Sequence, residues 1–418
     1  MRILFVSNLF QPEVLGGYEI GCSQVVESLR EAGHDIEVLT SNLVPKGDRD
    51  FVHPLLDCSI WATLRDMPRL AKLRYLVRRE KHNIRVFHEV LRSRKPDIVY
   101  FWNLGHTSRC LAVLAKQAGF HTGLFAFDLG LLADDNDLWT SQSRLIMVSP
   151  SRLAQALFLR MAGILIARPT AGLPEFDFVH CPTRFLERKL KHGALRSKSW
   201  EQICWGVDTE KFYPGEAVEP GKILFTGQVA EHKGVHILLE AFSQLVRRHP
   251  ISTMQLTIAG PLLDANYKRR LDALVEENGL ADHVEFTGRV DRADLPDLYR
   301  RHAIYVFPSI WEEPMGIGIL EAMASGLAVV CSGTGGSGEL FTDGESGLLF
   351  RSGDAQSLAE RIYYLFQNME KTTRIRKTAR EAIVNSYRWS LTVKGIWESV
   401  NPKSQQIQKL KEIPVLHA

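Results

Sequence analysis

The stretch that most narrows the possible folds runs from Phe307 to Gly335, FPSIWEEPMGIGILEAMASGLAVVCSGTG. The apolar run Ala303–Phe307 leads into it and stops at Pro308–Ser309, so it reads as a buried strand. Gly316–Ser325 has helical spacing and ends at Gly326, and Leu327–Cys331 has the length and composition of the next strand. Strand, helix, strand is the repeating unit of a parallel α/β sheet. Ligands of such sheets bind in the crevice beyond the carboxyl ends of the strands. Glu313 then falls in the loop at a strand's carboxyl end, and Glu321, eight positions later, inside the following helix. Met315, Gly316 and Ile317 would offer backbone N–H groups at that helix's N-terminus, a site for hydroxyl or phosphate oxygens. Taken alone, the two carboxylates also read as ordinary solvated side chains near a helix end.

With its flanking strands, PSxWEExxGxxxLEAMAxGxxVV resembles the donor-site signature of the retaining glycosyltransferases of family 4, within glycosyl transferases group 1. The resemblance covers most of the chain, weakly over 45–170 and strongly over 200–350. It implies an α/β chain of the GT-B class, two Rossmann-like doubly wound domains facing each other across a cleft. It also implies retaining transfer of a sugar from a nucleoside-diphosphate sugar to a hydroxyl acceptor, with no metal and no resident cofactor. Glu313 would contact the transferring sugar, aided by the amides of Met315, Gly316 and Ile317, and Glu321 would bind the ribose hydroxyls. Lys233, in the loop GQVAEHKG before a helix, would offset charge on the leaving diphosphate. Glu313 and Lys233 are thus the candidate catalytic pair. The turn Gly288-Arg289-Val290 would pack beside the nucleobase.

The chain opens with a strand, Arg2–Ser7, the loop NLFQPEVLGG and a helix from Tyr18 to Ala32. No G-x-G-x-x-G follows the first strand, which disfavours a nicotinamide oxidoreductase. Gly16–Gly17 before the helix permits close approach to an anion. With Pro12 and Glu19 it resembles the family's P-x-x-x-G-G-x-E, so Gly17 would close over the donor phosphates.

Three places depart from the family pattern. Gln228 stands where an arginine usually accompanies the lysine and supplies a hydrogen bond but no charge. Phe127–Asp128 stands where a histidine usually precedes the aspartate, which leaves Asp128 and His106, on a neighbouring loop, as acceptor-side candidates. Gly338 replaces the proline before Glu339. Asp135-x-Asp137 resembles the metal site of the other large glycosyltransferase fold, but it lies in a loop-like cluster rather than at the end of an apolar strand, so no metal is expected there.

The sequence divides into a first domain over 1–205, a linker over 206–220 rich in Gly and Pro, a second domain over 221–385, a helix crossing back over 386–400, and a tail over 401–418. Ile203–Trp205 reads as the last strand of the first domain. At 418 residues, 45% hydrophobic and 24% charged, with net charge +3, the chain has the composition of a soluble globular protein without a nucleic-acid partner. Six scattered cysteines without a C-x-x-C pair favour buried thiols in the cytoplasm over disulfides. Residues 69–95 alternate basic and apolar side chains at helical spacing. They read as a solvated helix face over an apolar stripe, or as a surface for peripheral contact with anionic membrane or a lipid-linked acceptor. Two other readings stay open: a sugar-nucleotide-binding scaffold without activity, and another chemistry on the same fold, such as a phosphorylase or an epimerase.

Overall fold

The computed structural model describes residues 1–14, 16–58, 67–102, 104, 108–130, 173–193, 195–216, 218, 221–248 and 254–401. They form two compact units, one of Met1–Ile203 with the chain from Trp397 on, the other of Cys204–Ile396.

In the first unit seven parallel strands lie in the order β3-β2-β1-β4-β5-β6-β7. They are β1 (Arg2–Val6), β2 (Asp35–Ser41), β3 (Val52–Leu56), β4 (Ile98–Phe101), β5 (His121–Phe125), β6 (Phe176–Cys181) and β7 (Ser197–Gln202). Among the described residues, the helices between them are α1 (Gly17–Glu31), α2 (Arg69–Arg94), α3 (Cys110–Gln117) and α4 (Arg184–His192). β4 is buried along its whole length, as a central strand covered on both faces must be. Leu4, Val99, Phe101 and Leu124 from the sheet pack with Leu76, Phe87 and Leu111 from the helices in one apolar core.

The edge strands escape a hydrophobicity reading. The expected strand Ile203–Trp205 is not formed; its place is taken by β7, SKSWEQ, whose residues are half-buried or exposed. An edge strand needs a sheet face on one side only, so polar alternation suits it. β3 contains Pro54, which an edge tolerates because one row of N–H groups has no ladder partner.

The second unit repeats the pattern with six parallel strands in the order β10-β9-β8-β11-β12-β13. These are β8 (Lys222–Thr226), β9 (Gln255–Ala259), β10 (Val284–Gly288), β11 (Ile304–Phe307), β12 (Ala328–Cys331) and β13 (Leu348–Leu349). Its helices are α5 (Val235–Arg248), α6 (Ala265–Glu277), α7 (Leu295–Arg300), α8 (Ile317–Ala324), α9 (Ala355–Gln367), α10 (Met369–Ser386) and α11 (Trp389–Val400). The division between the units falls inside α11. Asp264 starts α6 by accepting from the Asn266 and Tyr267 amides, and Asp354 starts α9 by accepting from Ser357. Both sheets are thus doubly wound in the order 3-2-1-4-5-6, with a seventh strand added to the first. The order reverses between β1 and β4 and between β8 and β11, the places where such sheets open a crevice.

α2 carries a basic face, with Arg74, Arg78, Lys81, Arg85 and Arg92 exposed. Arg79 and Glu80 depart from the expected solvated face, since both are buried and Ser108 donates a hydrogen bond to Glu80. No helix among the described residues is long and apolar enough to cross a membrane. All six cysteines are free thiols, five of them buried.

Candidate active site

In the second unit the loops after β8 and β11 flank the point where the strand order reverses, and they carry Lys233 and Glu313. After β8 the chain makes a short turn, Glu231–Lys233, and Gly234 follows at φ +71°. A Cβ on Gly234 would lie 2.0 Å from the Pro308 carbonyl oxygen, so only glycine lets the two loops meet this closely. The Ile310 amide donates to the His232 carbonyl at 3.0 Å and fastens them together. Lys233 Nζ then lies 2.5 Å from Glu313 Oε1.

Glu313 is 7% exposed. Its Oε1 also accepts from the Ser309 hydroxyl at 2.8 Å, the shortest hydrogen bond that hydroxyl makes. Among the described residues no protein donor engages Oε2. The backbone is fixed from behind, where the Gly336 amide donates to the Glu313 carbonyl at 2.7 Å. Gly335, at φ +65°, passes so close that a Cβ there would lie 2.3 Å from the same oxygen. Burial and the Lys233 ammonium hold the neighbouring His232 below the usual histidine range, against the opposing pull of Glu313.

α8 begins immediately beyond, with Gly316 as its first half-helical residue. The N–H groups of a first helical turn have no intrahelical acceptor, so those of Gly316–Gly318 stand at the positive end of the helix, which starts three residues after Glu313. One turn on, the Glu321 carboxylate is 6% exposed. Arg292, in the turn after β10, places Nη2 3.0 Å from its Oε1, and the buried Tyr299 hydroxyl donates to Oε2 at 3.1 Å. Burial raises Glu321 above the ordinary carboxylate range, against the opposing pull of Arg292 and Tyr299.

Of the residues singled out in the sequence, the fold gathers Lys233, Glu313, Met315, Gly316, Ile317 and Glu321 around the start of α8. Gln228 lies exposed in the loop after β8. Arg289 is exposed and Val290 half-buried at the end of β10, and it is Arg292, three residues on, that reaches Glu321. Ser309, Tyr299 and Arg292 were not anticipated; Ser309 alone had a signal, lying next to the proline that ends β11.

In the first unit Gly17 is the first residue of α1, and the Glu19 carboxylate turns back to accept from the Gly16 amide at 3.0 Å. Phe127 stacks on Tyr18 with ring centres 5.0 Å apart, so the position usually held by histidine belongs here to an aromatic cluster with Trp102 and Phe125. Asp128 is exposed and accepts from the Gly130 amide at 2.8 Å. His106, Asp135 and Asp137 lie outside the described residues. Among the described residues, no cluster of His, Cys, Asp and Glu has the geometry of a metal site.

Residues 207–382 match the family model described as glycosyl transferases group 1. The chain is 31% identical over 224 residues to spore coat protein SA of Bacillus subtilis, a match covering 49% of this chain and 58% of the relative, so it spans less than two thirds of that protein. It is 25% identical over 423 residues to glycogen synthase of Mycobacterium tuberculosis, covering 93% of this chain and 92% of the relative. Among solved structures, sucrose-phosphate synthase of Thermosynechococcus elongatus superposes with a TM-score of 0.70 at 20% identity, covering 98% of each chain. HepE of Anabaena, in complex with UDP and glucose, superposes with a TM-score of 0.65 at 18% identity, covering 96% of this chain and 99% of that one. The fold is GT-B, with a Rossmann-like sheet in each unit.

Proposed function

We propose, starting from a second unit whose residues 207–382 match the model of glycosyl transferases group 1, that this protein transfers a sugar from a nucleoside-diphosphate sugar to a hydroxyl acceptor. The observation that carries the reading is the half-engaged Glu313 carboxylate. Its Oε1 is held by Lys233 and Ser309 while Oε2 has no protein donor among the described residues, at the mouth of a helix N-terminus. Such an arrangement can accept hydrogen bonds from sugar hydroxyls and stabilise positive charge developing at an anomeric carbon. The ammonium of Lys233 and the first-turn amides of α8 would offset charge on a departing diphosphate. Glu321, deeper in α8, would take the ribose hydroxyls.

The finer reading is that transfer retains the anomeric configuration and needs no metal; it rests on the family 4 resemblance of the motif. The alternative, a scaffold that binds the sugar nucleotide without turning it over, is carried by Gln228 and Phe127. A thermal-shift panel of UDP, GDP and ADP in EDTA, followed by donor hydrolysis assays, separates the two. A nucleotide present at ~100 Kd adds about 2.7 kcal/mol to stability, a readily measured shift. Slow hydrolysis of the matching sugar nucleotide by the wild type, lost in Glu313→Gln, supports the enzyme. Binding without any turnover supports the scaffold, and a shift that requires Mn²⁺ overturns the metal-free reading.

A further inference from the structure

Each oxygen of Glu321 faces a different kind of neighbour: Oε2 accepts a hydrogen bond, while Oε1 has an ion-pair contact and no hydrogen-bond donor among the described residues. Tyr299 holds Oε2 from inside the fold, its hydroxyl 2.6 Å from Thr226 Oγ1, and it is fully buried. Arg292 approaches Oε1 from the solvent side with a side chain 46% exposed. We propose that Arg292 is a positioning residue of the nucleotide site, whose guanidinium fixes the Glu321 carboxylate as an acceptor pair for the vicinal hydroxyls of a ribose. This rests on the reading of the site as one for a nucleoside diphosphate.

The physical need for such a residue follows from the surroundings of Glu321. An ionised carboxylate only accepts hydrogen bonds, whereas a protonated one gives up an acceptor site and becomes a donor. Among the described residues, the groups that face Glu321 are the phenols of Tyr299 on α7 and Tyr305 on β11, both bonded to the Thr226 hydroxyl on β8, and the Arg292 guanidinium after β10. Arg292 is the one cation among them. Burial favours the neutral acid, and Arg292 opposes it. Without that charge, Glu321 would take up a proton at a higher pH, and the ribose would lose its acceptor.

The test compares Arg292→Met, Arg292→Lys and Glu321→Gln with the wild type, using calorimetric titration with UDP, GDP and ADP in EDTA between pH 8 and pH 5.5. In Arg292→Met the affinity should fall as pH falls, by about tenfold more than in wild type, the cost of a hydrogen bond to a charged group. Arg292→Lys should restore most of it, and in a Glu321→Gln background Arg292→Met should cost nothing further. A ligand-free measurement runs alongside. A carboxylate whose folded pKa is raised loses stability as pH rises, so the Tm gap between Arg292→Met and wild type should widen from pH 5 to pH 8 and close in the Glu321→Gln background. Parallel pH profiles, or a gap that persists in the Glu321→Gln background, would overturn the proposal. If the wild type bound none of the three nucleotides, the reading of the site would fall, and the ligand-free cycle would still decide whether Arg292 acts on Glu321.

Discussion

Glu313 and Glu321 are both buried, yet their oxygens are occupied differently, and the difference predicts different phenotypes. Glu313→Gln keeps the shape and a hydrogen bond from Ser309 but removes the charge that Lys233 answers. The expected outcome is nucleotide binding within a few-fold of wild type with loss of donor turnover, read by titration and by hydrolysis of the sugar nucleotide. Lys233→Met removes the ammonium from a carboxylate 9% exposed, leaving a poorly solvated anion. Chemical denaturation should show a loss of about 1–3 kcal/mol, with Glu313→Gln in the same chain recovering part of it. At this scale the sequence was partly legible. Glu313, Lys233 and Glu321 stood in a recognisable local pattern, whereas Arg292 meets Glu321 only because the turn after β10 folds over α8, and no spacing announces that meeting.

The helix α8 is the element on which the site rests, and both of its ends are held by other segments. Beyond its C-terminus, Arg380 donates to the Ala324 carbonyl at 2.7 Å and to Phe212 and Thr209 at 2.8 and 3.2 Å, while Arg376 donates to Gly326. Cations at a helix C-terminus complement its dipole and satisfy its last carbonyls. At the other end, Gly335→Ala tests the support of the Glu313 loop, since its Cβ would collide with the Glu313 carbonyl. Gly279 is the control: it has a similar φ of +63° but nothing within 4 Å of a Cβ. Gly279→Ala should cost only the left-handed strain, about 1–2 kcal/mol. Gly335→Ala should cost more and also lower turnover, as melting and hydrolysis together would show. On α2, a membrane role for the exposed stripe of Arg74, Arg78, Lys81 and Arg85 would retain the protein on anionic vesicles at low salt, at about 1 kcal/mol per cation near the surface, whereas a merely solvated face would not. Flotation separates the two: retention that falls with salt and is lost in Arg78→Glu with Arg85→Glu supports the membrane role, and no retention in wild type dismisses it.

At the scale of the molecule, two sheets wound in the same order place chemistry-bearing loops at the carboxyl ends of their strands. The first unit also contains a pH-sensitive core. His180, fully buried on β6, lies 2.6 Å from the Tyr100 hydroxyl and 2.7 Å from that of Ser399, and burial lowers its pKa to about 3. Unfolded, the same ring takes up a proton near pH 6.5, so the unfolded chain binds more protons between these values and stability falls as pH drops through that window. By pH 5 the loss is about 2 kcal/mol. Tm should therefore fall between pH 7 and pH 5, and less steeply in His180→Gln.

The strands β1, β11 and β12, the helices α1, α2 and α8 and the position of the donor motif followed from the sequence alone, because burial on both faces leaves continuous apolar runs and Gly and Pro mark their ends. The edge strands β3 and β7 did not, since an edge is polar on one side and resembles a loop. The tertiary structure alone decided which side chains meet. Lys233 reaches Glu313 across 80 residues of chain because β8 and β11 are neighbours in the sheet. Arg292 reaches Glu321 from the turn after the edge strand β10, whereas Ser309, four residues before Glu313, meets it within one loop. Local pattern carries the strand and the helix, while the distant partners of a buried charge are set by how the loops meet in the folded chain.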